Sequence, residues 1–272
     1  MVSAIKGSVD VENMLQSSGV DLQIIRSMQE ISLKEMECVR LMNRMDTKFM
    51  LPVHGLNELL GKVAPEYDIL VIDGIRIASY KTIYYDTPSL RFFHEHVNGK
   101  LNRYKIRVRS YLDSDLHFLE IKQKLNTGKV RKNRIQIKNI SSDFDQEAVN
   151  LVKQYTSDDL LLLFVSLTDA FQRITLVNKS RTERVTIDFD LSFQKPGENE
   201  RIALPHLGII EIKQDKAFLS TMGEALMTAR IKKSGISKYC LGISITDPSE
   251  KLNNLKQTIR NLQKITNYER IT

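Results

Sequence analysis

Lys105, Arg107 and Arg109 occupy every second position of KIRVRSY, and Glu120, Lys122 and Lys124 every second position of LHFLEIKQK, with Ile106, Val108, Leu119 and Ile121 among the residues between them. Guanidinium forks and ammonium groups bind phosphate oxygens, and isolated carboxylates among them can hold a divalent cation. Residues two apart share one face of a strand, so each segment carries a charged face and an apolar one. Water on one side of an antiparallel sheet produces the same alternation. The pattern recurs, however, in Arg44, Asp46 and Lys48; in Lys132, Arg134, Gln136 and Lys138; in Arg184, Thr186, Asp188 and Asp190; and in Glu211 and Lys213. If such a sheet curls into a barrel with its apolar face under helices, the charged faces line a lumen. Like charges so close are tolerable only with a polyanion and metal ions between them, which points to triphosphate or polyphosphate. The five histidines, His54, His94, His96, His117 and His206, stand in no triad or HExxH context.

The elements that must carry these faces are legible in the period of the apolar residues. Residues 10–40 read as a helical lead-in, with Leu15, Leu22, Ile25, Met28 and Leu33 at near-helical spacing and Ser32 as a candidate cap. RMDTKFML at 44–51 alternates, and Pro52 opens a predicted helix, PVHGLNELLGKV. Segments 77–86, 102–111, 116–124 and 131–138 read as strands, punctuated by NG at 98–99 and NTG at 126–128, with a short helix at 88–97. After a polar, helix-prone insertion at 141–162, strand patterns resume in DAFQRITLVN, ERVTIDFDLSF and LGIIEIKQ. A helix near 216–228, the segment KSGISKYCLGISI and an amphipathic helix near 248–265 complete the chain. The expected fold is α+β, an antiparallel β-barrel with helices packed on its outside. It comprises a helical lead-in over 1–40, one domain over 41–247, and a C-terminal helix within 248–272 that packs on it.

The 272 residues with 42% hydrophobic content suffice for a substantial core, and the net charge of +7 favours anionic partners without choosing among them. Cys38 and Cys240 are far apart and belong to no CxxC or Cys/His cluster, so reduced thiols are expected. The N-terminus has no secretory pattern, and the longest apolar run, LLLLFVSL at 160–167, is too short to span a bilayer and is expected to pack inside. A soluble cytoplasmic protein is the simplest expectation. Basic residues that alternate with carboxylates, without a recognised binding motif, argue against a nucleic-acid partner.

RMDTKF, YYDT followed by FFHEHVNG, RYKIRVRSY, LEIKQK, RVTIDFDLSF, IIEIK and SGISKYCLG occur in this order. Together they resemble the polyphosphate polymerase domain of the vacuolar transporter chaperone (VTC) family, a branch of the triphosphate tunnel (CYTH-like) superfamily, from about residue 40 to 246. The resemblance implies a β-tunnel whose basic lumen binds ATP and inorganic polyphosphate with a divalent metal, Mn²⁺ or Mg²⁺. It assigns the tunnel lysine to Lys48, the paired arginines to Arg107 and Arg109, the next strand's lysine to Lys122, and the later arginines to Arg173 and Arg184. The metal-binding glutamate falls on Glu211 and the Ser-Lys pair on Ser237 and Lys238. Lys129, Arg131, Arg134 and Lys213 are additional phosphate contacts under the same alignment, and Glu120 a second acidic group for metal. The implied reaction moves the γ-phosphoryl group of ATP onto a growing chain.

Two rivals follow from the same residues. Hydrolytic tunnel enzymes open with an ExExK strand, where this chain has Arg44, Asp46 and Lys48. A cation in place of the first carboxylate weakens metal-activated water and favours anion binding, so a polymerase is preferred to a triphosphatase. A polyphosphate-binding module without turnover is the other rival. The family's vacuolar members carry membrane helices beside this domain; with no such segment in this chain, export of the product would need a separate membrane partner.

Overall fold

Each alternating segment becomes a strand, and the strands join one sheet. The computed structural model describes residues 19–37, 39, 45–140, 144–156, 158–214, 220–247, 249–250 and 253–266. Its strands are β1 (Glu30–Ser32), β2 (Met45–Pro52), β3 (Tyr67–Val71), β4 (Ala78–Asp86), β5 (Arg103–Tyr111), β6 (Leu116–Lys124), β7 (Val130–Ile137), β8 (Phe164–Asn178), β9 (Glu183–Gln194), β10 (Ile202–Leu204) and β11 (Leu207–Gln214). The helices are α1 (Leu22–Ser27), α2 (Leu33–Glu37), α3 (Val53–Val63), α4 (Arg91–Val97), α5 (Gln146–Tyr155), α6 (Thr221–Thr228), α7 (Lys238–Thr246) and α8 (Lys256–Thr266). The main path runs β2-β11-β9-β8-β4-β5-β6-β7, every neighbour antiparallel. Among the described residues β2 and β7 are not paired, so the sheet curls without closing.

Helices cover the convex face in two patches, as the apolar half of the alternation requires. Leu56, Leu59, Leu60 and Val63 of α3 pack with Ile25 of α1 and Leu226 of α6 on Phe49, Leu51, Val185, Ile187, Ile210 and Ile212. Ala148, Leu151 and Val152 of α5 pack on Ile106, Val108, Leu119 and Ile121. Side-chain caps start these helices where the sequence turns: Asp145 accepts from the Ala148 amide at 2.9 Å and Ser220 from that of Gly223 at 3.1 Å. Ser32 and Glu35 form a reciprocal capping box, the Glu35 amide donating to Ser32 Oγ and the Ser32 amide to Glu35 Oε2.

The concave face is divided. One end is apolar and filled by α7, whose Tyr239, Cys240, Leu241, Ile243 and Ile245 pack with Leu167, Phe193, Leu207 and Ile209. The packing is close enough that a Cβ on Gly242 would lie 2.2 Å from Leu167 Cδ2 and 2.6 Å from Phe193 Cδ1. Gly242→Ala is therefore expected to lower stability by about 1–3 kcal/mol, the range for overpacking a filled core, measurable in denaturant melts. The other end keeps its charged side chains and encloses space.

Several expectations need correction. The described part of the 10–40 lead-in is not continuous helix: β1 interrupts it and pairs in parallel with β3, whose YDILV lacks alternation and gave no strand signal. LLLLFVSL packs only in part, since Leu160, Leu163 and Leu167 are buried while Leu161 and Leu162 are 64% and 75% exposed. KSGISKYCLGISI supplies α7. Arg44, Leu15 and Cys38 lie outside the described residues.

Candidate functional site

A cavity of about 520 Å³ occupies the charged end of the concave face, and all eight strands of the main path reach it. Register explains which side chains do so. Arg107 lies opposite Glu120 and Lys105 opposite Lys122; Glu120 lies opposite Arg134 and Lys122 opposite Lys132. Across the sheet, Arg173 faces Asp188, Lys213 faces Arg184, and Glu211 faces Lys48. Ser237 and Lys238 enter from the start of α7, and Tyr84 supplies an uncharged wall. Eleven Lys and Arg residues line this chamber against four carboxylates, Asp46, Glu120, Asp188 and Glu211.

Three of those carboxylates each organise two cations. Asp188 takes a bidentate pair from Arg173, Nε at 2.5 Å and Nη2 at 2.8 Å, together with Lys238 Nζ. Glu120 Oε2 accepts from Arg107 Nε at 2.8 Å and Nη2 at 2.6 Å, with Arg109 Nη1 3.9 Å away. Glu211 receives Lys213 at 2.6 Å and Lys48 at 3.4 Å through separate oxygens. Burial opposes ionisation in each case, yet the adjacent cations win: Arg107 and Arg109 hold Glu120 down to about 2, and Asp188 and Glu211 also lie well below the usual range. Aromatic rings back the cations, with Lys238 Nζ 3.2 Å from the Phe171 centroid and the Arg173 guanidinium 5.0 Å from that of Tyr80.

Further cations lie close to one another, Lys105 and Lys132 each opposite Lys122. Burial, then Lys132 and Lys48, push the Lys122 amine down to about 8; burial does the same to Lys238 against the pull of Asp188. Among the described residues Arg109 Nε is buried without a hydrogen-bond partner, a donor left for an anion. A second, more open cavity of about 1130 Å³ adjoins the chamber and shares Asp46, Lys48, Lys105, Lys122, Lys132 and Ser237 with it. It adds Arg103, Lys124 and Lys129, and among the described residues Asp46 is the carboxylate that lines it. The chain thus builds a continuous cationic passage.

The model of a family described as the VTC domain matches residues 43–246, well over half of the chain. The chain belongs to the VTC domain family. Among solved structures, a Bacillus halodurans protein with a provisional adenylate cyclase assignment is similar at 12% identity, covering 72% of this chain and 96% of its own, with TM-score 0.49. A Hippeastrum protein provisionally called an adenylyl cyclase, with a dominant triphosphatase activity, matches at 15% identity over 74% and 96%, TM-score 0.43. The PH1819 protein of Pyrococcus horikoshii matches at 13% identity over 76% and 99%, TM-score 0.44. A search of curated proteins finds no match.

Within this VTC domain, Lys48, Arg107, Arg109, Glu120, Lys122, Arg134, Arg173, Arg184, Glu211, Lys213, Ser237 and Lys238 meet in the chamber. Lys129 sits apart from them, in the outer cavity. Arg131 does not join them: it lies opposite Gln123, on the face away from Lys122 and Lys132, and lines neither cavity. Lys105, Lys132 and Asp188 were on the alternating face and belong to the site as much as the residues the resemblance singled out. Tyr84 carried no charge signal; it is recognisable only from its position opposite Arg107. Asp190 leaves the face at a register shift, with φ of 51°, where two β9 residues oppose one of β8. His96, unremarkable in sequence, lines the outer cavity and accepts from Arg103 Nε at 3.1 Å through Nδ1.

Divalent metal was expected on Glu211 and Glu120. Among the described residues no three His, Cys, Asp or Glu side chains gather into a cage. Mg²⁺ and Mn²⁺ do not need one where substrate phosphates complete the coordination around one or two carboxylates. Glu211 fits that role, because its oxygens are held by mobile ammonium groups, Lys48 and Lys213, rather than by a guanidinium fork. Glu120 fits it less well: its Oε2 is engaged by the guanidinium fork of Arg107.

Proposed function

We propose that this VTC domain is an ATP-dependent polyphosphate polymerase. The observation that carries the reading is the passage itself. A chamber lined by eleven cations opens into a second cationic cavity, giving a phosphate chain a path that extends past a bound triphosphate. Lys48, Arg107, Arg109, Lys122, Arg173, Arg184 and Lys238 hold and align the donor and acceptor phosphates, with Arg134, Lys213 and Ser237 as further contacts and Lys129 further out. A terminal oxygen of the chain attacks the γ-phosphorus, the bond from that phosphorus to the β,γ-bridging oxygen breaks, and ADP leaves with the bridging oxygen. Negative charge spreads over the transferring oxygens, so positioning and charge neutralisation supply the acceleration and no protein nucleophile is required. Bound at Glu211, Mn²⁺ or Mg²⁺ would neutralise phosphate charge.

Among the described residues no helix is long and apolar enough to cross a membrane. The reaction would run where ATP is available, the cytoplasm, with a separate membrane partner if the product is exported. Hydrolysis is the second reading, favoured by Asp46, which lies opposite Lys213 and so beside Glu211 on the adjoining strand. Purified protein incubated with ATP and Mn²⁺ or Mg²⁺ distinguishes them when ADP, free phosphate and long-chain polyphosphate are followed separately. ADP matched by polymer is expected. ADP matched by free phosphate without polymer would establish the triphosphatase, and binding without turnover a storage or sensing module.

A further inference from the structure

Lys105 stands where the two cavities meet and belongs to both walls. It differs from the chamber cations held in the ion pairs described above. Lys48, Lys213, Lys238, Arg107 and Arg173 each face a carboxylate, whereas Lys105 Nζ donates to the neutral hydroxyl of Ser237 at 2.8 Å. Ser237 is itself fixed as the cap of α7, accepting from the Cys240 amide at 3.4 Å. We propose that Lys105, positioned by Ser237, binds the phosphate that passes from the chamber into the outer cavity, taking up a proton as the chain enters and so distinguishing a long chain from a triphosphate. The inference rests on the phosphate-chain reading above.

Every element packed around this amine makes it a poor place for an isolated charge. β2 contributes Lys48 and Asp46, β6 contributes Lys122, β7 contributes Lys132, and β5 itself carries Arg103 and Arg107 on the same face. From the helices come His96 of α4, whose ring burial and the Lys105 charge keep neutral, and the buried thiol of Cys240 in α7. Burial first, then the charges of Lys122, Lys48 and Arg107, push the Lys105 amine down to about 7, with Cys240 the opposing influence. Near pH 8 the amine in the empty protein is therefore largely neutral. An anionic chain beside it favours the ammonium form, so the amine gains a proton from solvent on binding. Chain affinity then falls as pH rises above 7. A triphosphate held deeper, mainly by Arg107, Arg109 and Arg173, engages guanidinium groups that do not titrate and depends less on this step.

The test is calorimetric titration of the full chain at pH 8, in two buffers of different ionisation heat, with inorganic triphosphate and with long-chain polyphosphate as ligands. Wild-type protein should take up about one more proton with the long chain than with triphosphate, Lys122 and Lys238 contributing to both. Lys105→Gln should abolish that difference and weaken long-chain binding roughly tenfold or more, the scale of one charge-assisted hydrogen bond, with a smaller loss for triphosphate. Lys105→Arg should keep the affinity while losing the extra proton uptake, which a purely structural role for the side chain would not produce. Equal losses for both ligands, or an unchanged difference in uptake in Lys105→Gln, would overturn the assignment of Lys105 alone. Failure of both ligands to bind wild-type protein would overturn the phosphate-chain reading with it.

Discussion

Asp188→Asn is expected to destabilise the ligand-free protein by about 3–5 kcal/mol, the loss typical when one partner of a buried ion pair is removed. Arg173 and Lys238 converge on this one carboxylate, which is 7% exposed, and both cations lie against Phe171. Asparagine keeps the shape but leaves two positive charges together without the carboxylate that joins them. Chemical denaturation measures the loss. Saturating polyphosphate should restore part of it, because an anion in the chamber replaces the missing charge and binding to the native state adds stability by mass action. The wild-type contribution has a defined pH window. Asp188 is held below its ordinary value, so its stabilisation is complete above about pH 4, the unfolded carboxylate range, and is lost as pH falls towards the folded value.

Glu211→Gln is expected to reduce metal-dependent turnover by roughly 100-fold or more while leaving phosphate-chain binding intact or slightly stronger. The substitution removes the carboxylate that would hold the divalent ion in the proposed reaction, and it also removes a negative charge from a wall that must attract a polyanion. The carboxamide oxygen of the introduced glutamine can still accept a hydrogen bond from Lys48 or Lys213, so the wall keeps its shape. Arg107→Ala and Arg109→Ala should behave in the opposite sense, weakening chain binding through loss of guanidinium donors. Turnover assays at several Mn²⁺ concentrations, paired with calorimetric binding of the chain, separate the two patterns. Wild-type activity in all three variants would refute the site.

Much of this site was legible because a strand's period is two. Once Arg107 and Glu120 were placed on charged faces, antiparallel pairing brought them together, and the same parity carried Lys48, Lys122, Arg134, Arg184, Asp188, Glu211 and Lys213 inward. Arg131 shows the limit of alignment without parity, since it is one residue out of phase with Lys132 and points to the other face. What parity could not give was depth along the curled sheet. Tyr84 and Phe171 face inward as the charged residues do, yet mark where the chamber meets its apolar plug. That plug, α7, was hidden because its segment is apolar nearly all round, with no periodic face to betray a helix. β3 was missed for the same reason: a strand buried along most of its length has no alternation to read.

The central claim is that the terminal oxygen of a phosphate chain, and not water, attacks the γ-phosphorus. Turnover of ATP in water enriched in oxygen-18 tests it directly. The account predicts ADP and polymer whose newly added phosphate carries no label. Free phosphate bearing one oxygen-18 atom for each ATP consumed would contradict it.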